Sequence, residues 1–357
     1  MSEEDLTTYQ GSMPRSTADL QRWFEGSPSE TALEPDLPIV DAHHHLYGEV
    51  TDRHYYRRID LDQDLSSGHR IVGTVYVEAY RSGWKKTGSE PLRPVGEVEM
   101  IVEQAATPAP TADGACQIAA GIVAHADLLL GREVTEVLEA HLAAAQGRLR
   151  GVRHMTARDD GLVGRFIKEM PTKHLLQDNV FRTGLAQLER YGLSFDVWVY
   201  QHQLHEVLEV VDQFPGITFV LNHVGGLIGV GESRAKRNEV VSKWQTDLQE
   251  LARRPNVYVK VGGMGMPVFG FGFEHGARPA CSTDLAQAWQ PLIDACIDSF
   301  GPNRCMFESN FPVDKQSCGY TALWNAFKLA TLAMSVDERA AMFYGTASKV
   351  YRLDLPR

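Results

Sequence analysis

The chain has 357 residues, of which 43% are hydrophobic and 23% are charged, so it is long enough and apolar enough to bury a large core. Its formal net charge of -11 argues against nucleic acid as the main partner, because phosphate binding requires a basic surface. No apolar stretch is long enough to cross a bilayer, and the acidic start "MSEEDLTTYQ" is unlike a secretory signal. We therefore expect a small-molecule substrate, no nucleic acid and no membrane, with a homo-oligomeric state left open.

Cysteine usage indicates the redox compartment. The five cysteines are odd in number and show no CxxC spacing, which is typical of neither a disulfide framework nor a zinc cluster. We expect reduced thiols in a cytoplasmic protein.

Residues 1–37 show no sustained pattern apart from a short helical stretch at 18–26, and we interpret them as an N-terminal extension. From residue 38 to residue 357, apolar runs of strand length alternate with helical patterns. The eight predicted strands are 39–42, 74–79, 118–124, 149–154, 195–200, 218–223, 257–263 and 305–310. Amphipathic helices are predicted around 132–146 and 204–214, and a last helix opens with a capping box from Ser335 to Glu338.

Strands that are apolar on both faces and separated by helices are typical of a buried parallel sheet, and eight such strands can close a barrel. An open doubly wound sheet is the alternative, and it favours a glycine-rich phosphate turn after the first strand. This chain has "HHHLYG" there instead. We therefore predict an α/β fold, a distorted (β/α)8 TIM barrel over 38–357 preceded by the 1–37 extension.

Chemistry in such barrels is located where strands run into the following loops. Histidines follow five different predicted strands at that end, together with several charged and amide side chains. The residues at this end are His43, His45, Glu78, His125, Asp127, Arg153, His154, Tyr200, His202, Asn222, His223, Lys260, Glu308 and Asn310.

The histidine run in "IVDAHHHLYG" is the first of these groups. Because successive side chains on a strand alternate faces, His43 and His45 point the same way and His44 points the other way. Two imidazoles on one face can bind one metal ion, whereas His44 is expected to serve packing. The alternative is a polar loop in which the run has no chemical role.

Taken together, these motifs resemble the amidohydrolase superfamily, in the amidohydrolase-related branch that includes sugar lactonases and 2-pyrone-4,6-dicarboxylate lactonase. The resemblance extends over residues 38–355. It is carried by "VDAHHHLYG", "GIVAHADLL", "GVRHMTARDD", "DVWVYQHQL", "FVLNHVGG", "RCMFESNFPVDK" and "GTASKVYRL".

The resemblance implies that His43, His45 and His202 hold one divalent metal ion, zinc or manganese. It also implies that His223 is a further ligand or a catalytic group. No lysine ends strand four, so a binuclear centre with a carboxylated lysine is not expected.

Asn310, in "ESNFP", stands where many relatives have an aspartate that binds metal and accepts a proton. An amide cannot accept a proton at neutral pH. We expect His202 and His223 to do the proton work beside Asn310, unless the site has lost its metal.

Three residues are candidates for substrate binding. Arg153 suits a substrate carboxylate because its fork matches that group, although a structural bond to a nearby carbonyl is the alternative. Glu78 is expected to bind substrate or to orient a histidine or Arg153, and Tyr200 lies at the same end of the barrel. Glu308 and Lys260 could form a buried ion pair one layer deeper.

An aromatic loop, "GGMGMPVFGFGFEHG", is predicted to be a lid or wall for a ring-shaped substrate, or a contact with a partner subunit. We expect a hydrolase that opens a lactone or related cyclic ester or amide. The alternatives are metal-dependent decarboxylation of an aromatic acid and a non-catalytic small-molecule binding protein.

Overall fold

The computed structural model describes residues 9–27, 30–79, 81–111 and 114–355, and the predicted TIM barrel is confirmed. The strands are β1 Ile39–His44, β2 Ile71–Val77, β3 Ala109–Thr111, β4 Gly114–His125, β5 Leu149–Arg153, β6 Ser194–Val197, β7 Phe219–Leu221, β8 Val257–Val261 and β9 Cys305–Phe307. Eight are parallel neighbours in the order β1-β2-β4-β5-β6-β7-β8-β9. Each predicted strand corresponds to one of these eight.

Hydrogen bonds between β1 and the segment after β9 close the barrel. The amide of His45 donates to the carbonyl of Phe311, and the amide of Asn310 donates to the carbonyl of His43, each at 2.9 Å. Asp41 of β1 reinforces this seam, because its carboxylate accepts from the Ser309 amide at 2.8 Å and the Ser309 hydroxyl at 2.6 Å. The ends of β1 and β9 are therefore held side by side.

Helices connect the strands and cover the barrel. They are α1 Thr17–Phe24, α2 Arg58–Leu65, α3 Val95–Gln104, α4 Val134–Ala144, α5 Asn179–Leu185, α6 Gln187–Arg190, α7 Leu204–Gln213, α8 Glu232–Ala235, α9 Arg237–Ala252, α10 Ser282–Phe300, α11 Tyr320–Ala330, α12 Val336–Ala340 and α13 Thr346–Val350. The predicted capping box at Ser335 and Glu338 opens α12, with both reciprocal bonds present. Within the described ranges, no helix is long and apolar enough to cross a membrane.

Two features depart from the sequence prediction. Strand β3, in the proline-rich "TPAPT", pairs antiparallel with the start of β4 and is not among the eight predicted strands. Proline is tolerated there because β3 is an edge strand, with no ladder bond required on its outer side. Several barrel strands also end earlier than predicted, so that His223 and Asn310 have left-handed backbones (φ 52° and 53°) instead of extended ones.

The five cysteines are free, as expected. Cys116, Cys296, Cys305 and Cys318 are buried, and Cys281 is exposed.

Candidate functional site

The imidazole pair of β1 lies at the centre of the C-terminal mouth. The Nε2 atoms of His43 and His45 are 3.1 Å apart, and His45 Nδ1 donates to the carbonyl of Val77 at 2.9 Å. This bond fixes the His45 tautomer and leaves Nε2 with its lone pair. As predicted, His44 points to the other face, where its Nε2 lies 2.9 Å from the Thr74 hydroxyl.

Arg153 lies against this pair, but its fork is already bound. Its Nε donates to the Glu78 carboxylate at 2.6 Å, and its Nη2 donates to the Glu78 main-chain carbonyl at 2.7 Å. The remaining nitrogen, Nη1, lies 3.4 Å from His43 Nε2. Arg153 therefore makes the structural bond to a nearby carbonyl that was the alternative to substrate binding. Glu78 orients Arg153, which was one of its expected roles.

Lys260 pairs with Asp196, not with Glu308, so the predicted Lys260–Glu308 ion pair is wrong. The Lys260 ammonium lies 2.7 Å from Asp196 Oδ2, and both side chains are fully buried. Asp196 also accepts from the Tyr351 hydroxyl at 2.9 Å. Lys260 Nζ approaches His43 Nδ1 to 3.4 Å, so two cations flank the two ring nitrogens of that histidine.

Glu308 pairs with His223 instead. Its Oε1 accepts from the His223 backbone amide at 3.1 Å and lies 2.7 Å from His223 Nδ1. The other oxygen, Oε2, is buried, has no hydrogen-bond donor among the described residues and lies 2.9 Å from His43 Nδ1. Because Glu308 holds Nδ1 of His223, the second ring nitrogen is left for chemistry.

Burial keeps the three imidazoles of this centre neutral. It lowers the pKa of His43 and of His45 well below that of free imidazole, and the nearby cations Lys260 and Arg153 act in the same direction. Burial also lowers the pKa of His223, but the Glu308 carboxylate opposes this shift. A neutral imidazole backed by a carboxylate is the form that a general base requires.

Two consecutive glycines after β8 make room for the His223–Glu308 pair. A Cβ on Gly263 would collide with the His223 imidazole, and a Cβ on Gly262 would collide with the Glu308 side chain. Gly263 also has a left-handed backbone, with φ of 68°. The sequence "VYVKVGG" therefore contributes space as well as a strand.

Asn310 lies at the end of β9 beside a carboxyl group that the sequence did not point to. Its Nδ2 donates to Asp314 Oδ1 at 2.8 Å, and the Gly265 amide donates to Asp314 Oδ2 at 2.8 Å. Burial raises the pKa of Asp314 well above its usual range, against the effect of these two donors. Among the described residues, none donates to Asn310 Oδ1.

The structure does not bring His202 to the histidine pair, which corrects the predicted three-histidine metal set. Strand β6 ends at Val197, and the chain then leads outward into a short 3-10 helix, Gln201–Gln203. His202 is exposed there, with Nε2 2.9 Å from the carbonyl of Arg158. Tyr200 is buried and stacks on His202, with ring centroids 6.3 Å apart.

Trp198, which sequence reasoning missed, takes the inward position after β6. Its ring packs edge-on against His223, with centroids 4.6 Å apart. In the aromatic loop, Phe269 is part of the core, whereas Phe271 and Phe273 are partly buried and stack at 5.9 Å.

The candidate centre is enclosed. Its members are no more than 8% exposed: His43, His45, Glu78, Arg153, Trp198, His223, Lys260 and Glu308. Two cavities lined by described residues lie elsewhere, one of about 810 Å³ beside α1 and one of about 560 Å³ that His202 lines.

Comparison with known proteins identifies the family. The family model "Amidohydrolase" matches residues 40–353, so the chain belongs to the amidohydrolase family. It is therefore an enzyme of that family, as the resemblance implied.

Two curated relatives span different shares of the chain. Protein y4mH of Sinorhizobium fredii is 28% identical over 333 residues, which cover 89% of this chain and 99% of that protein. L-fucono-1,5-lactonase of Burkholderia multivorans is 30% identical over 210 residues, which cover 58% of this chain and 64% of the lactonase.

Among solved structures, an amidohydrolase of Burkholderia multivorans has a TM-score of 0.67 at 23% identity, covering 88% of this chain and 99% of that chain. A second crystal form of it contains bound zinc. A 2-pyrone-4,6-dicarboxylic acid hydrolase of Pseudomonas putida has a TM-score of 0.59 at 16% identity, covering 90% of this chain and 99% of that chain. These likenesses support the fold.

Proposed function

We propose that this enzyme hydrolyses a lactone, with His223 as general base. The observation that carries the proposal is the buried His223–Glu308 pair, with Nδ1 and Oε1 2.7 Å apart, beside the His43–His45 pair and Arg153. The partial match to L-fucono-1,5-lactonases supports a cyclic ester as substrate.

In the proposed reaction, a water oxygen attacks the ring carbonyl carbon while the second ring nitrogen of His223 takes its proton. The imidazolium that forms is stabilised by the Glu308 carboxylate. The tetrahedral oxyanion then collapses, the bond between the carbonyl carbon and the ring oxygen breaks, and His223 returns the proton to that oxygen. The product is a hydroxy acid.

Arg153 would stabilise the oxyanion through Nη1. This nitrogen is the part of the guanidinium that Glu78 does not hold, and it points toward the imidazole pair. Because Glu78 fixes the rest of the fork, the donor is preorganised for the charge that develops in the transition state.

The substrate we propose is neutral and hydroxylated. The sequence had suggested a carboxylated substrate, because the guanidinium of Arg153 matches the geometry of a carboxylate. The two buried cations of the centre are both paired, Arg153 with Glu78 and Lys260 with Asp196. Asn310 Oδ1 and the buried Asn222 Oδ1 accept from no donor in the described part of the chain, and both are acceptors that suit hydroxyl groups. Among the described residues of this centre, each cation already has a carboxylate partner, so a second carboxylate would not be fully neutralised.

One divalent metal, zinc or manganese, is the cofactor we propose. The 3.1 Å between His43 Nε2 and His45 Nε2 is about the spacing of two imidazoles on one ion at roughly 2.0–2.1 Å. Glu308 Oε2 is buried beside His43 and has no donor among the described residues, so a cation bound next to His43 would give this oxygen a partner.

A second possible donor set consists of His43, His223 and Glu308. Both sets include His43, which favours a mononuclear site. A bound metal would polarise the carbonyl and lower the pKa of its water. The Arg153 guanidinium, 3.4 Å from His43 Nε2, weakens metal binding by charge repulsion.

The direct experiment is incubation of the purified protein with a panel of sugar lactones and hydroxybenzoates. Acid release from a lactone, followed with a pH indicator, is the expected result. Carbon dioxide release from a hydroxybenzoate would instead indicate a decarboxylase. Turnover of neither class would leave no support for the proposed reaction.

A further inference from the structure

Strand β1 contains an extra residue just before its histidine pair. In the pairing of β1 with β2, Asp41 lies opposite Thr74 and His44 lies opposite Tyr76, so three steps along β1 match two steps along β2. Such a β-bulge changes the face of the sheet on which the following side chains lie. The bulge falls between Asp41 and His44 and therefore includes His43.

The bulge turns His43 into the barrel while Asp41 stays on the outer side of the wall. On a regular strand these two side chains would share a face, because they are two residues apart. Here the Asp41 carboxylate accepts from the hydroxyl of Tyr320, in helix α11, at 3.0 Å, whereas His43 Nε2 lies 3.1 Å from His45 Nε2. Ala42, between them, packs in an apolar cluster formed by strands from different sides of the barrel. Ala42 and His43 therefore both point inward.

The Asp41 carboxylate fastens this bulge to the segment after β9. Its Oδ1 accepts from the His43 amide at 3.3 Å and from the Ser309 amide at 2.8 Å. Its Oδ2 accepts from the Ser309 hydroxyl at 2.6 Å. Asp41, His43 and Ser309 are fully buried, so no water replaces these bonds if the carboxylate is removed.

Ser309 stands between two residues of the candidate centre. Glu308, which precedes it, lies 2.7 Å from His223 Nδ1, and the amide of Asn310, which follows it, donates to the His43 carbonyl at 2.9 Å. Because neighbouring side chains alternate, a serine held on the outer side of the wall keeps Glu308 on the inner side. One carboxylate outside the centre thus fixes groups from both of the strands that meet there.

We propose that Asp41 is a positioning residue for the candidate centre. It holds the bulge that turns His43 inward, and it holds Ser309 so that Glu308 faces the same space. The consequence for catalysis rests on the proposed function. Misplacement of a group by about 1 Å can lower a catalysed rate by about a hundredfold, so a small relaxation of the bulge is sufficient to affect turnover.

Three variants separate this role from a purely structural one. Asp41→Ala removes every bond of the carboxylate, Asp41→Asn keeps an oxygen for the two amides, and Tyr320→Phe removes only the outer hydroxyl. Ring-nitrogen NMR of protein labelled with ¹⁵N-histidine reports on His43, whose signals are assigned by their loss in His43→Gln. We expect the His43 signals to shift in Asp41→Ala and to stay close to wild type in Asp41→Asn and Tyr320→Phe.

With a lactone substrate, kcat should follow the same order as the NMR signals. Asp41→Ala should lower kcat by roughly a hundredfold while KM changes by less than about threefold. Asp41→Asn and Tyr320→Phe should keep kcat within about threefold of wild type. Urea unfolding should show that Tyr320→Phe also loses stability, so that stability and rate do not change together.

The NMR measurement needs no turnover, so it decides the role of Asp41 even if the protein hydrolyses no lactone. Unchanged His43 signals in folded Asp41→Ala, or equal shifts in Tyr320→Phe, would overturn the proposal. An Asp41→Asn variant that behaves like Asp41→Ala would overturn it too. If Asp41→Ala does not fold, Ser309→Ala, which loses the 2.6 Å bond, takes its place and should shift the same signals; unchanged signals there would be equally decisive.

Discussion

Glu308→Gln isolates the charge of the His223–Glu308 pair from its shape. The glutamine keeps an oxygen to accept from the His223 amide and from its Nδ1, contacts of 3.1 and 2.7 Å. The new amide nitrogen would stand where Oε2 lacks a donor, 2.9 Å from His43 Nδ1, and can donate to it. We therefore expect little change in the free energy of unfolding.

The rate of lactone hydrolysis should fall steeply, because the imidazolium formed in the transition state loses its partner charge. Two unit charges about 4 Å apart interact by about 4 kcal/mol at an effective dielectric constant of about 20. Loss of this charge–charge interaction corresponds to a decrease in kcat of about a thousandfold. The decrease would be about a hundredfold if the hydrogen bond between the glutamine oxygen and His223 Nδ1 compensates in part. Initial rates and urea unfolding on the same preparation measure both quantities.

Glu206→Gln is the matched control. Glu206 is also buried and lies 2.9 Å from a histidine nitrogen, His174 Nδ1, but beside the separate 560 Å³ cavity. Its kcat should stay close to wild type. If Glu308→Gln retained wild-type kcat with normal stability, or if both variants lost activity equally, the assignment of the His223–Glu308 pair as the base would be refuted.

Further variants test the surroundings of this pair. Gly263→Ala places a methyl group against the His223 imidazole and should lower kcat strongly; circular dichroism checks that the barrel still forms. Asn310→Asp should destabilise the protein by about 2–4 kcal/mol in urea at neutral pH, since two buried carboxyls would face each other. The double variant Asn310→Asp with Asp314→Asn should regain stability, because the amide donor and the carboxylate have only exchanged positions. If the losses of the two single variants instead added in the double variant, the two residues would not act as a pair. As the pH is lowered, kcat/KM should decrease with an apparent pKa below 6.5, the value of free imidazole, because burial lowers the pKa of His223 and the base acts while neutral. An apparent pKa above 6.5 would contradict this. Elemental analysis should find at most one zinc or manganese ion per chain. Arg153→Lys should lower kcat, because a lysine cannot reproduce the two hydrogen bonds of the guanidinium to the carboxylate and the main-chain carbonyl of Glu78.

The fold could be predicted from the sequence because its signals are local. Apolar runs of strand length, helical periodicity and the Ser335–Glu338 capping box each depend on neighbouring residues, and all correspond to elements of the barrel. The β3–β4 hairpin was missed because a proline-rich edge strand lacks that pattern.

The site was only partly predictable, because loop direction after a strand depends on distant contacts. His43 and His45 follow from the alternation of side chains on β1, and the structure places them together as expected. His202 turns outward because Gln203 ties its loop to the Thr156 carbonyl and the Arg158 amide. No spacing in the sequence indicates those bonds.

Partners of buried charges were equally hidden. Glu308 and Lys260 lie at similar depth on neighbouring strands, which made their pairing a reasonable prediction, yet Glu308 pairs with His223 after β7 and Lys260 pairs with Asp196 of β6. The double glycine after β8 is a local signal for the His223–Glu308 pair, since adjacent glycines at a strand end favour close approach of other groups.

The rate of lactone hydrolysis by His223→Asn and by His202→Asn tests the central claim most directly. Each change removes one of the two histidines that the sequence indicated as the base. His223 is enclosed beside Glu308, and His202 is exposed beside Arg158. We predict a decrease in kcat of about a hundredfold or more for His223→Asn, the range typical of a lost general base, and near wild-type kcat for His202→Asn. Wild-type activity in His223→Asn, or its loss in a folded His202→Asn, would contradict the account.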